Sequence, residues 1–87
     1  MRFEKAFVSR ENRYSLGVEV ESGMHYAAIP VSNQLVDYME YYKLSDDEYE
    51  RFLGEPSQAL EFVESCRNRQ QDQRLFMKPG SDRGVPR

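Results

Sequence analysis

The chain has one cysteine, one histidine and no tryptophan, and no apolar run in it approaches the length of a membrane helix. With Cys66 alone, no intrachain disulfide can form and no cysteine-rich metal cage can be built. The Met-Arg-Phe-Glu start carries no apolar stretch of signal-peptide length, and the roughly 18 consecutive apolar residues that a spanning helix needs are missing. A cytoplasmic protein with no membrane association is therefore expected. Aliphatic mass is scarce as well. Leu, Ile, Val and Phe make up only about a fifth of the chain, just above the composition at which chains stay disordered.

Aromatic residues make up part of the deficit. Six Tyr and five Phe supply large burial areas, and tyrosine adds a polar tip suited to wet interfaces. At 87 residues the chain is long enough for one domain and one core, and a core of this size leaves a partner subunit plausible. The net charge of −3 conceals an asymmetry. Residues 1–34 balance, residues 35–64 are strongly acidic, and residues 65–87 are basic through Arg67, Arg69, Arg74, Lys78, Arg83 and Arg87. The middle third suits a basic partner and repels nucleic acid.

Residues 13–21 alternate cleanly, with Tyr14, Leu16, Val18 and Val20 on one side. Ser22-Gly23 reads as a two-residue turn into the apolar run from Met24 to Val31. Counting outward from that turn pairs Val18 with Ala27 and Leu16 with Ile29, which places the aliphatic residues of both strands on one face. Met24 and Tyr26 then interrupt an otherwise polar second face. Residues 2–9 form a first strand, with Phe3, Phe7 and Ser9 on one side. Residues 36–43 fit either a fourth strand or a helix capped by Asn33, and the strand is preferred for its three tyrosines.

Ser45-Asp-Asp-Glu48 is a capping box, Tyr49, Phe52 and Leu53 form an inward stripe, and Gly54 supplies a left-handed stop. Pro56 suits the first position of a second helix whose face is Ala59, Leu60, Phe62, Val63 and Cys66. The expectation is an α+β fold. A three- to four-stranded antiparallel meander is followed by amphipathic helices at about 45–54 and 56–70, packed on one face. Residues 1–77 form one domain and 78–87 an irregular tail. Arg74-Leu-Phe-Met77 either returns as an edge strand or packs under the helices.

No residue cluster specifies a reaction. Cys66 and His25 are the only candidate nucleophile and base, and Cys66 falls on an apolar helix face where cysteine acts as a small hydrophobe. Asp46, Asp47, Glu48 and Glu50 lack calcium-loop spacing and are explained by capping, so no metal and no cofactor is expected. The glycines and basic residues of 78–84 lack the order of a phosphate loop. A basic strip for nucleic acid through the tail arginines is disfavoured by the acidic third before it. What stands out is the interleaving of acid with tyrosine from Asp37 to Tyr49. It reads either as a core with a solvated face or as a protein-binding surface.

The blocks Ile29-Pro-Val-Ser-Asn33, Val36-Asp-Tyr38, Glu40-Tyr-Tyr42, Phe62-Val63 with Cys66-Arg67, and Lys78-Pro-Gly80 with Arg83-Gly84 resemble those of small uncharacterised bacterial proteins, loosely over residues 13–87. In size, acidity and α+β plan the chain is also similar to immunity proteins of contact-dependent toxin systems. That likeness implies a non-enzymatic inhibitor that covers a cognate protein toxin, and the acidic, Tyr-rich segment, rather than the likeness, points to a basic target such as a nuclease. The partner-binding residues are then Asp37, Glu40, Asp46, Asp47 and Glu50 for steering, and Tyr38 and Tyr41 as anchors. The alternative is a homo-oligomeric housekeeping or regulatory protein, a homodimer that buries Met24 and Tyr26 against a second copy.

Overall fold

The computed structural model describes residues 1–80 and 83–87. Four antiparallel strands run in chain order: β1 (Phe3–Ser9), β2 (Tyr14–Glu19), β3 (His25–Ser32) and β4 (Asp37–Leu44). Two helices, α1 (Asp46–Gly54) and α2 (Pro56–Arg67), follow. This is the expected α+β plan, and the ambiguous fourth segment is a strand. A single 3-10 turn spans Asp72–Arg74, and a two-residue strand, β5 (Val85–Pro86), pairs with Val31 and Ser32 of β3. The segment anticipated as an irregular tail thus returns to the sheet, although Ser81 and Asp82 within it lie outside the described residues. No helix among the described residues is long and apolar enough to cross a membrane.

The core lies between the sheet and the helices. Tyr14, Leu16, Ala27, Ile29, Val31, Tyr42 and Leu44 meet Phe52, Ala59, Val63 and Cys66 there, and all are buried. The capping box forms as its spacing requires: Ser45 Oγ accepts from the Glu48 amide at 3.1 Å, and Glu48 Oε1 accepts from the Ser45 amide at 2.9 Å. Gly54 does not make the left-handed stop, since Gly23 is the only glycine among the described residues with positive φ. Instead Glu55, which precedes Pro56, adopts φ −134° and ψ 85° and breaks the helix. The proline ring excludes helical geometry from the residue before it. Leu53 and Leu60, assigned inward by the stripe, are 38% and 37% exposed.

The β2–β3 register differs from the two-residue-turn count. Val18 pairs with His25 and Leu16 with Ala27, two places away from the anticipated partners. The cause is Glu19. Its carboxylate accepts from the backbone amides of Arg2, Glu21 and Ser22 at 2.9–3.0 Å, which starts the turn at Glu19 and leaves a four-residue loop ending at Gly23. A slip of two keeps every side chain on its face, so the core is unchanged. Glu19 is only 2% exposed, and these amides, Arg2's first, hold its carboxyl down at about 2.

A bulge in β1 between Lys5 and Phe7 corrects a second expectation. The extra residue inverts the alternation, so Phe7 faces the helices while Phe3 faces the other way. There Phe3 stacks on Tyr41 at 3.7 Å and meets Tyr26 and Phe76 edge-on at 5.4 and 5.3 Å. Phe76 arrives because its amide donates to the Tyr41 carbonyl at 3.0 Å, beside a bridge between Tyr42 and Leu75. This aromatic cluster buries Tyr26 completely, and burial pushes its phenol up to about 12. Gly17 makes room for the cluster: a Cβ there would meet the Glu4 carbonyl oxygen and lie 2.7 Å from the Tyr26 hydroxyl.

Candidate functional site

The residues proposed from sequence as one partner-binding surface are divided by the pleat of β4. Tyr38, Glu40, Tyr42 and Leu44 point toward the helices, whereas Asp37, Met39, Tyr41 and Lys43 point away. Tyr41 is occupied by the Phe3 stack. Tyr38 packs against the core, and its hydroxyl accepts the Gly84 amide at 2.7 Å. Neither ring projects as a free anchor.

Glu40 is 6% exposed and forms the buried side of an ion cluster that opens toward solvent at Asp72. Arg83 donates Nε to Glu40 Oε2 at 2.8 Å and Nη2 to Glu40 Oε1 at 3.1 Å. Its remaining donors reach Asp72 through Nη1 to Oδ2 at 2.8 Å and Nη2 to Oδ1 at 2.9 Å. The planar guanidinium is thus clamped edge to edge between two carboxylates. Hydrogen bonds to Asp72 and then to Glu40 raise the Arg83 pKa, and the same guanidinium lowers that of Asp72. Tyr42 completes the group by donating its hydroxyl to Glu40 Oε1 at 2.9 Å; burial, and then that bond, raise its phenol pKa.

The other tail arginines are also committed within the chain, whereas Lys78 is exposed. Arg74 donates to Glu48 at 2.8 Å, Arg67 to the Asn12 and Arg13 carbonyls, Arg69 to the Gly84 carbonyl at 3.0 Å, and Arg87 to Asp37 at 3.3 Å. Desolvation works to raise the Glu48 pKa, but hydrogen bonds from Arg74 and the Ser45 amide outweigh it and leave the carboxyl below its ordinary value. His25 Nδ1 donates to Asp46 Oδ1 at 2.9 Å, since a carboxylate only accepts, and the imidazole stacks on Tyr49 at 3.8 Å.

These commitments leave the helices as the acidic surface. Asp47, Glu50 and Glu61 are exposed and enter no ion pair among the described residues, and Leu53 and Leu60 interrupt them. An open groove of about 530 Å³ runs between α1 and α2, lined by Phe52, Phe62, Gln58 and Glu61 and also by Arg51, an exposed cation that enters no ion pair among the described residues. Of the seven site residues anticipated, Asp46, Asp47 and Glu50 share this surface. Asp37 stands apart at the β3–β4 end, and Glu40, Tyr38 and Tyr41 serve the fold.

Cys66 is fully buried, and burial pushes its thiol up to about 12, which leaves it protonated and unreactive at neutral pH. Among the described residues no group of three His, Cys, Asp or Glu side chains could hold a metal ion. The arrangement offers recognition surfaces: an acidic helical layer, and on the opposite face of the sheet an aromatic cluster. No protein-family model, curated protein or solved structure matches the chain.

Proposed function

We propose that the protein is a non-enzymatic binding module whose helical layer docks on a basic protein, in the manner of an immunity-type inhibitor covering a nuclease toxin. One observation carries this reading: the arginines of the basic third are engaged in internal contacts, while Asp47, Glu50 and Glu61 are exposed on the helices and enter no ion pair among the described residues, and Leu53 and Leu60 are part-exposed on the same helices. Exposed carboxylates steer a cationic partner, and Leu53 and Leu60, with the separate Phe52–Phe62 groove, offer apolar contact on the helices.

The test is the association rate with a basic nuclease domain, taken from a neighbouring gene where one is encoded. The rate should fall at least tenfold as salt rises from roughly 50 to 500 mM, because screening shortens the reach of surface charge. Reversal of charge in an Asp47→Lys, Glu50→Lys double variant should slow association with no change in melting temperature. A salt-independent rate, or equal rates for wild type and variant, overturns the reading.

A second reading is self-association, favoured by three exposed apolar residues at one end of the sheet. Leu35 and Val36 in the β3–β4 turn are 85% and 55% exposed, and Val85, opposite Ser32, is 68% exposed. Tyr26 does not serve that role, since its own chain buries it. Sedimentation at micromolar concentration decides: a dimer dispersed by Leu35→Glu supports self-association, and a monomer rejects it.

A further inference from the structure

On the face of the sheet away from the helices, a cleft of about 260 Å³ opens where β1 and β2 meet. Ser15, Pro30 and Met39 line its inner part, and Lys5, Arg10 and Arg13 its rim. No carboxylate lines it, and the three cations enter no ion pair among the described residues. In a chain of net charge −3 this is a local reversal of sign. Ser15 is 3% exposed, yet its hydroxyl has no hydrogen-bond partner among the described residues. Buried hydroxyls are ordinarily satisfied, and one that is not, beside unpaired cations, points to an acceptor that arrives from outside.

The turn that carries two of the cations is held in place. Arg13 adopts φ 55°, a conformation side chains rarely take. Arg67 at the end of α2 donates Nη2 to the Asn12 carbonyl at 2.5 Å and to the Arg13 carbonyl at 3.1 Å, and the Asn12 amide donates to Ser9 Oγ at 3.2 Å. A strained residue fixed from both sides keeps its side chain directed in a way a loose turn would not.

We propose that this cleft binds a small phosphomonoester. Its phosphoryl oxygens sit among Arg10, Arg13 and Lys5 and accept the Ser15 hydroxyl proton, and a short apolar body lies against Pro30 and Met39. Three cations and a neutral donor match a dianion better than a carboxylate, and guanidinium forks suit phosphoryl oxygens. The cleft is smaller than the roughly 300–1,000 Å³ of drug-sized sites, so the body is no larger than a single ring.

The experiment is an amide chemical-shift titration of the intact protein with phenyl phosphate, with inorganic phosphate and benzoate as comparison probes. Saturable shifts at Ser15, Arg10 and Arg13 are expected with a dissociation constant on the order of 1 mM or tighter. Inorganic phosphate should bind several-fold more weakly, and benzoate should not saturate. Arg10→Ala with Lys5→Ala should weaken phenyl phosphate at least about tenfold. Ser15→Ala should weaken it as well while leaving the melting temperature unchanged or raised. Absence of saturation, equal affinity for inorganic phosphate, saturable benzoate binding, or unaltered binding in the double variant overturns the proposal.

Discussion

The two faces of the sheet are closed by different means. Toward the helices, an amphipathic layer covers an aliphatic core and a clamped ion cluster, and the polar groups there, Glu40 and the Tyr42 hydroxyl, are satisfied by named partners. On the other face no element among the described residues is laid across the sheet. Phe3 and Phe76 fold in from the flanks, and two buried hydroxyls, those of Ser15 and Tyr26, have no partner among the described residues. One face is built to completion by long-range pairing, and the other is closed by aromatic stacking that leaves polar capacity unused. The first suits stability and leaves only the outer side of its helices for a partner; the second leaves room for a ligand on the sheet itself.

Substitutions can break or sharpen this contrast. The largest loss is expected at the ion cluster. Arg83→Ala leaves Glu40 buried with only the Tyr42 hydroxyl, and removal of one partner of such a pair costs about 4 kcal/mol. The midpoint of urea unfolding measures it, and a change under about 1 kcal/mol would show that the cluster contributes little. On the other face, Gly17→Ala sets a Cβ against the Glu4 carbonyl and the Tyr26 ring, for a loss of about 3 kcal/mol. Loss of the near-ultraviolet tyrosine signal in that variant would locate the damage in the aromatic cluster.

The acid limb of stability tests the turn between the faces. The folded Glu19 carboxyl, at about 2, lies below its unfolded value, so its contribution is whole above the unfolded pKa and vanishes as pH falls from about 4.5 toward 2. Glu19→Gln should flatten the stability profile in that window and leave its shape near neutrality unchanged; an unaltered acid limb refutes the assignment. The smallest effect is expected at Arg13. Glycine tolerates the left-handed backbone, so Arg13→Gly should stabilise the fold by about 0.5 kcal/mol even as it removes a cation from the cleft. A destabilised variant would mean that the Arg13 side chain contributes to the fold.

What could be read from the sequence follows the same division. The Ser45–Glu48 box and the Ala59–Val63–Cys66 stripe depend on neighbours within one or two turns, so their residues announce them. The β2–β3 pairing shows the limit of alternation as a guide. Its period is two, and a register displaced by two residues satisfies the same faces, so only the Glu19 carboxylate, an acid among outward-facing residues, could have shown where the turn begins. The β1 bulge left no signature in Phe3-Glu-Lys-Ala-Phe7, and plain alternation puts the two phenylalanines on one side. Glu40 looked like a surface acid because its counter-charge lies 43 residues away. Asp47 and Glu50 were legible as exposed acids because helix periodicity fixes their side. The cleft at Ser15 was not, since it joins residues from β1, a turn, β3 and β4.

The separation of Glu40 from Arg83 also has a consequence for how the chain matures. At roughly 5–20 residues per second the ribosome releases Glu40 several seconds before its counter-ion. The hairpins can pair during that interval, but a helical layer docked over an uncompensated carboxylate is disfavoured, so closure of the core is the late event of synthesis. Nascent chains stalled short of Arg83 should be cut readily by protease between β4 and α1, and those released beyond it should resist. Equal resistance in both would place closure earlier.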